Sequence, residues 1–250
     1  MNNPILFELC CGSTADALAA YEGGASRVEL NSDMFHGGLT PTLGSLLTVK
    51  KHAPDLKVMC MVRPREGGFH YTDIEFETML ADARVFLENG ADGIVFGFLH
   101  EDGTVDAQRV KAMLEVIGDH ESVFHRAIDV VPDWKAAMDV LISLGVTRIL
   151  TSGQKPSVPE GIFTIKEMMD YAAGRIQILP GAGITAENAQ WVRQITGTTQ
   201  MHAALTRTVY DRSAMGNPSI YFGGYVFPPE DRYSVSVPED IAGFVASANK

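Results

Sequence analysis

Cysteine is scarce, with only Cys10, Cys11 and Cys60 in 250 residues. Three cysteines do not make a disulfide framework, and the adjacent Cys10 and Cys11 fit no ordinary zinc spacing, so a reducing, cytoplasmic setting is expected. No apolar run is long enough to cross a bilayer, and Met1-Asn2-Asn3-Pro4 has neither the basic start nor the apolar core of a secretory signal. Positive charge is short as well: 20 Lys and Arg stand against 31 Asp and Glu, a net charge of -11, which excludes nucleic acid and anionic membrane as the expected partners. A Gly-rich nucleotide fingerprint is missing after the first strand-like stretch, which argues against a doubly wound dinucleotide fold.

What the chain does have is a repeat of structure without a repeat of sequence. Short apolar stretches at 5–10, 27–30, 57–62, 93–98, 122–127, 147–151, 175–179 and 199–203 alternate with helix-like stretches. Gly24, Gly90, Gly145, Gly174 and Gly197 each stop a helix before a strand. Ser13, the pair Thr40-Pro41, and Thr72 with Glu75 supply helix starts, the last as a capping box. Strict alternation implies parallel strands with right-handed crossovers, and eight units in this length predict a single (β/α)8 TIM barrel spanning 1–250. The stretch 206–238 breaks the pattern and is expected to be an irregular loop or cover, its aromatics (Tyr210, Tyr221, Phe222, Tyr225, Phe227) favouring an ordered lid or a subunit contact. A last helix is expected over Pro238–Ala248.

The apolar strands turn polar at their C-terminal ends, most visibly in Val123-Phe124-His125-Arg126-Ala127-Ile128-Asp129. A buried ionisable group costs several kcal/mol unless it finds a partner, so such ends mark the place to look for function. Period-two alternation sends Glu8, Cys10, Glu29, Asn31, Met59, Met61, Arg63, His125, Asp129 and His202 inward, and turns Arg126 and Cys60 outward. Glu8 and Glu29 read either as an ion-pair network with Arg63 or as acid/base groups working with His125. His125 itself is either a satisfied buried histidine or a catalytic one.

Two kinds of ligand suit these strand ends. Arg63 and Arg65, set around Pro64, match a carboxylate or phosphate, and the small-residue turns at Ser152-Gly153 and Gly181-Ala182-Gly183 could expose backbone N–H groups to an anion. Arg126, Asp129 and His202 would complete that ligand site. Met59-Cys60-Met61 carries soft ligands, but alternation puts Cys60 on the face opposite the methionines, which leaves Cys10 as the one soft ligand facing inward.

Together, Phe7-Glu8-Leu9-Cys10-Cys11, Arg27-Val28-Glu29-Leu30, Gly37-Gly38-Leu39-Thr40-Pro41, Val62-Arg63-Pro64-Arg65, Phe124-His125-Arg126-Ala127-Ile128-Asp129, Leu150-Thr151-Ser152-Gly153-Gln154 and Pro180-Gly181-Ala182-Gly183-Ile184 resemble the CutC family of copper homeostasis proteins. The resemblance runs from Phe7 to about Ala203. It implies a cytoplasmic (β/α)8 barrel that forms homo-oligomers and binds copper(I), with Cys10 as a metal ligand. Asn31 stands where the family commonly has a second cysteine, and His202-Ala203-Ala204 where it commonly has His-Ser-Ser. Two functional readings follow. One is a copper homeostasis protein; the other is an enzyme or binder of a small anionic metabolite, phosphorylated or not, with His125, Glu8 and Glu29 as catalytic groups.

Overall fold

Nearly every residue of the barrel strands is buried, as a parallel sheet requires when helices cover one face and packed side chains fill the other. The computed structural model describes residues 5–222 and 230–248. Eight strands, β1 (Leu6–Cys11), β2 (Arg27–Leu30), β3 (Lys57–Met61), β4 (Gly93–Phe96), β5 (Glu121–Phe124), β6 (Arg148–Thr151), β7 (Gln177–Pro180) and β8 (Gln200–Ala203), pair in parallel in the order β7-β6-β5-β4-β3-β2-β1-β8. A parallel bridge from Gly181 to His202 brings the two ends together, giving the nearly closed (β/α)8 barrel that the alternation predicts. A Cβ at Gly181 would stand 2.5 Å from Leu150 Cδ1 and 3.0 Å from His202 Cβ, so β7 and β8 approach this closely only because that residue is glycine.

The helices are α1 (Thr14–Glu22), α2 (Leu43–His52), α3 (Asp73–Glu88), α4 (Ala107–Ile117), α5 (Trp134–Leu144), α6 (Val158–Ala172), α7 (Ala189–Thr196) and α8 (Pro238–Ala248). Ser13 caps α1, and the Thr72–Glu75 capping box is fully formed. The start of α2 differs from expectation. Thr42 accepts the Ser45 N–H and is the N-cap, whereas Thr40 is held back by the chain just past β3, its N–H donating to Arg63 O and its hydroxyl accepting from Arg63 N, each at 2.9 Å.

Side-chain alternation along the strands is as predicted. Met59, Met61, Val95, Val123, Leu150 and Leu179 pack together inside the barrel. Phe7, Leu9, Val28, Leu30, Val58 and Cys60 lie in the larger core beneath the helices. The helix ring is completed at α8, where Phe244 meets Phe7 edge-on at 4.5 Å.

The stretch expected to be irregular contains an antiparallel ribbon, β9 (Arg207–Tyr210) with β10 (Arg232–Val235). The β-favouring run Arg207-Thr208-Val209-Tyr210 is long enough to pair once a partner strand returns alongside it. Tyr210, Tyr221 and Phe222 are exposed, while Tyr225 and Phe227 lie outside the described residues. No helix among the described residues is long and apolar enough to cross a membrane.

Candidate functional site

The C-terminal ends of the strands enclose a cavity of about 550 Å³, lined among others by Cys10, Glu29, Met34, Arg63, His125 and His202. None of the described residues of 206–222 is among the residues lining it.

On one side of the cavity β1, β2 and β8 are neighbours in register, with Glu8 opposite both Arg27 and His202, and Cys10 opposite Glu29. This juxtaposition builds a chain of ionisable groups. Arg27 Nε lies 2.6 Å from Glu8 Oε2, and His202 Nδ1 donates to Glu8 Oε1 at 2.8 Å. His202 Nε2 is 3.8 Å from Glu29 Oε2. The Cys10 thiol donates to Glu29 Oε2 at 3.5 Å, and the Asn31 amide donates to the same oxygen at 2.9 Å. Glu29 Oε1 is buried with no hydrogen-bond partner.

Burial works against the charge on Glu8, but the hydrogen bond from His202 and the charge of Arg27 outweigh it and hold the carboxyl at about 2. Burial raises Glu29 above the ordinary carboxylate value, only partly offset by His202. Burial and then the neighbouring Glu29 push Cys10 well up, so the thiol keeps its proton. His202 is raised: burial opposes its protonation, but Glu29 and Glu8 together prevail. With Nδ1–H given to Glu8, Nε2 of His202 is turned toward Glu29 and Cys10, as a lone pair whenever the ring is neutral. One ligand atom from each of Cys10, Glu29 and His202 falls within 4.8 Å of the others. The sulfur of Met34 is 4.0 Å from Cys10 Sγ.

The opposite side of the mouth is arranged differently. β5 ends at Phe124 rather than running on to Ala127, because the chain coils into a 3-10 turn over Arg126–Val130. That turn corrects the expectation that Arg126 faces away: its side chain lines the cavity and donates to Asp129 at 2.9 Å and to Ser152 Oγ at 2.7 Å. Asp129 also accepts from Thr151 Oγ1 at 2.5 Å, Ser152 Oγ at 2.9 Å, Ser152 N at 3.0 Å and Gln154 N at 3.1 Å. The turn expected to grip a ligand anion through Ser152 and Gly153 therefore grips a carboxylate of its own chain. The Gly153 N–H is taken by Thr151 Oγ1, and a Cβ at Gly153 would stand 2.4 Å from Gly161 O, so this glycine serves close packing on α6.

The arginines expected to clamp an anion are engaged elsewhere. Arg63 lies past the end of β3 and donates to the carbonyls of His36, Gly38 and Gly67, so it organises loops and does not pair with Glu8 or Glu29. Arg65 sits outside the mouth and pairs with Glu75 at 2.5 Å. Gly181 closes the barrel, and Gly183, at φ +74, lines the cavity next to it. An anionic ligand is accordingly the weaker reading of this mouth. His125 accepts the Ala127 N–H on Nδ1 at 3.1 Å, and burial together with the charge of Arg63 lowers its pKa to about 3. The ring is thus neutral with its proton on Nε2, and among the described residues no hydrogen bond joins it to Glu8 or Glu29.

Two contributors escaped the sequence reading. Arg27 is two residues before Glu29 and shares its inward face, a signal that alternation carries but the polar strand ends obscured. Met34 lies in the loop after β2, where no periodicity applies.

The fold and the mouth together define a (β/α)8 barrel with a compact set of thiol, imidazole and carboxylate donors at its C-terminal end. The CutC family model matches residues 5–207, and the chain belongs to that family. It is 51% identical to a CutC family protein of Treponema denticola over 97% of this chain and 98% of that one. It is 39% identical to the human copper homeostasis protein cutC homolog, over 95% of this chain and 86% of the relative. The crystal structure of CutC from Streptococcus agalactiae superposes with a TM-score of 0.76 at 36% identity, covering 80% of this chain and 98% of that one.

Proposed function

We propose that the protein serves copper homeostasis by holding copper(I) at the barrel mouth on Cys10 Sγ and His202 Nε2, with Glu29 beside them. The observation that carries this reading is the meeting of three ligand atoms, from Cys10, Glu29 and His202, within 4.8 Å. The donor set fits a cation on two further counts. Glu29 Oε1 is a buried oxygen without a partner, and Glu8 orients His202 as an outer carboxylate orients a metal-bound imidazole. A cation here would replace the proton on Cys10, which burial and Glu29 otherwise keep in place.

Within this reading Cys10 must remain a free thiol, which suits a reducing compartment and agrees with the free state of all three cysteines. Assembly into a homo-oligomer goes with the reading, supported by the exposed Tyr210, Tyr221 and Phe222, and light scattering on the purified chain tests it. The metal site is tested by titrating copper(I) against a competing chelator. Wild type should bind one equivalent, and Cys10→Ser should weaken binding by at least about tenfold, or about 1.4 kcal/mol. Unchanged affinity in Cys10→Ser would remove the proposal.

A further inference from the structure

The trio Cys10, Glu29 and His202 does not by itself select copper. Thiolate, imidazole and carboxylate are equally the ligands of zinc, and only additional soft donors tilt a site toward copper(I). We infer that the thioether of Met34 is the second sulfur donor of this site and sets its preference for copper(I) over divalent ions. This inference rests on the metal site proposed above.

Geometry is the first support. Met34 Sδ stands 4.0 Å from Cys10 Sγ, and both side chains line the mouth cavity. With a metal–sulfur distance of about 2.3 Å, as in zinc thiolates, a 4.0 Å separation corresponds to an S–metal–S angle of about 120°. That is the angle of a three-coordinate ion, and a His202 ring nitrogen, within 4.8 Å of Cys10 Sγ, is the candidate third donor.

The second support is how the loop is built. Ser32 and Leu39 exchange backbone hydrogen bonds at 2.9 and 2.8 Å, closing a short loop whose turn runs through left-handed Asp33, Gly37 and Gly38, at φ +44, +88 and +84. Arg63 fastens the loop by donating to His36 O at 2.8 Å and Gly38 O at 3.2 Å. Gly12 then makes room, since a Cβ there would lie 2.6 Å from Met34 Cγ. Four features thus converge on placing one side chain over Cys10.

Core packing does not account for that side chain. Met34 is 40% exposed and belongs to neither hydrophobic cluster. Methionine is flexible and polarizable, and its value in such a position is its sulfur.

The test uses the full chain and compares wild type, Met34→Leu and Cys10→Ser. Leucine keeps the volume and removes the sulfur, and at an exposed loop position it should leave the melting temperature unchanged. Copper(I) and zinc(II) affinities are measured by competition, and the sulfurs around bound copper(I) are counted by X-ray absorption. Wild type should show two sulfurs. Met34→Leu should show one, with copper(I) affinity reduced at least tenfold and zinc(II) affinity unchanged. Gly12→Ala, which displaces Met34 while retaining its sulfur, should weaken copper(I) in the same sense. If Met34→Leu matches wild type in sulfur count and copper(I) affinity while Cys10→Ser loses both, the role of Met34 is overturned and the site stands. If Cys10→Ser also matches wild type, both are overturned.

Discussion

The carboxylates on the two sides of the barrel mouth are used in opposite ways, although His125 Nε2 after β5 is itself buried without a partner. Beside β5 and β6, Asp129 collects donors from Arg126, Thr151, Ser152 and Gln154 and leaves its own side chain 6% exposed. Beside β1, β2 and β8, the Cys10 thiol keeps its proton, Glu29 Oε1 has no partner, and His202 turns Nε2 toward both. A charged network that satisfies itself is structure; one that leaves buried valences open beside a cavity is a candidate site. Residue type does not separate the two cases. Where the hydrogen bonds end does.

Emptying the satisfied side should disturb the protein most. Asp129→Ala would leave two backbone N–H groups, two hydroxyls and a guanidinium without their shared acceptor, and each buried donor left unpaired costs about 1–3 kcal/mol. Thermal unfolding should then fall by roughly 10 °C, while copper(I) affinity in the folded variant should match wild type. A loss of copper(I) affinity comparable to that of Cys10→Ser would show that the two sides are one site.

Acidification should act next most strongly, through His125 and Glu8. His125 has a folded pKa of about 3, below its ordinary 6.5, so the unfolded chain takes up a proton first as pH falls. Stability from this residue is complete above 6.5 and declines through the interval down to 3, by about 2 kcal/mol between pH 6.5 and 4.5. Glu8, held at about 2 against an ordinary 4.5, adds a further loss only below 4.5. His202 and Glu29 run the other way, their raised pKa values giving stability that is whole below 6.5 and 4.5 respectively and lost as pH rises through the folded values, so His202 does not mask the acid limb and Glu29 offsets part of it. Urea midpoints measured across pH 4.5–7 should therefore slope for wild type and flatten for His125→Gln. Parallel slopes would mean that His125 is protonated in the folded chain.

Much of this arrangement was legible in the sequence. Period-two alternation brought Glu8, Cys10, Glu29, Asn31 and His202 to one interior face, and it separated Cys60 from Met59 and Met61, as found. It failed where a strand stopped early. β5 ends at Phe124, and the 3-10 turn after it rotates Arg126 into the mouth, an outcome fixed by hydrogen bonds to residues 22 to 29 positions away. The arginines misled for a related reason. Residue chemistry says that Arg63 and Arg65 can hold a carboxylate, but loop carbonyls and Glu75 reach them first. Met34 was invisible because its place over Cys10 is a property of loop closure, which no local pattern encodes.

The smallest expected effect sharpens the boundary of the site. Arg65 meets Glu75 at 2.5 Å, with side chains 37% and 23% exposed, and also donates to the carbonyl of His70 at 2.8 Å. Its guanidinium stands 5.0 Å over the Tyr71 ring. Solvent screens a pair this exposed, so Arg65→Ala should cost no more than about 1 kcal/mol in stability. The loss should come mostly from the start of α3, where Glu75 is also the acceptor of the capping box. Because Arg65 lines a separate surface pocket with His70, His100 and Glu101, copper(I) affinity should not change. A drop in copper(I) affinity in Arg65→Ala, with the fold intact by circular dichroism, would extend the site past β3. Equality with wild type confines it to the side of the mouth built by β1, β2 and β8.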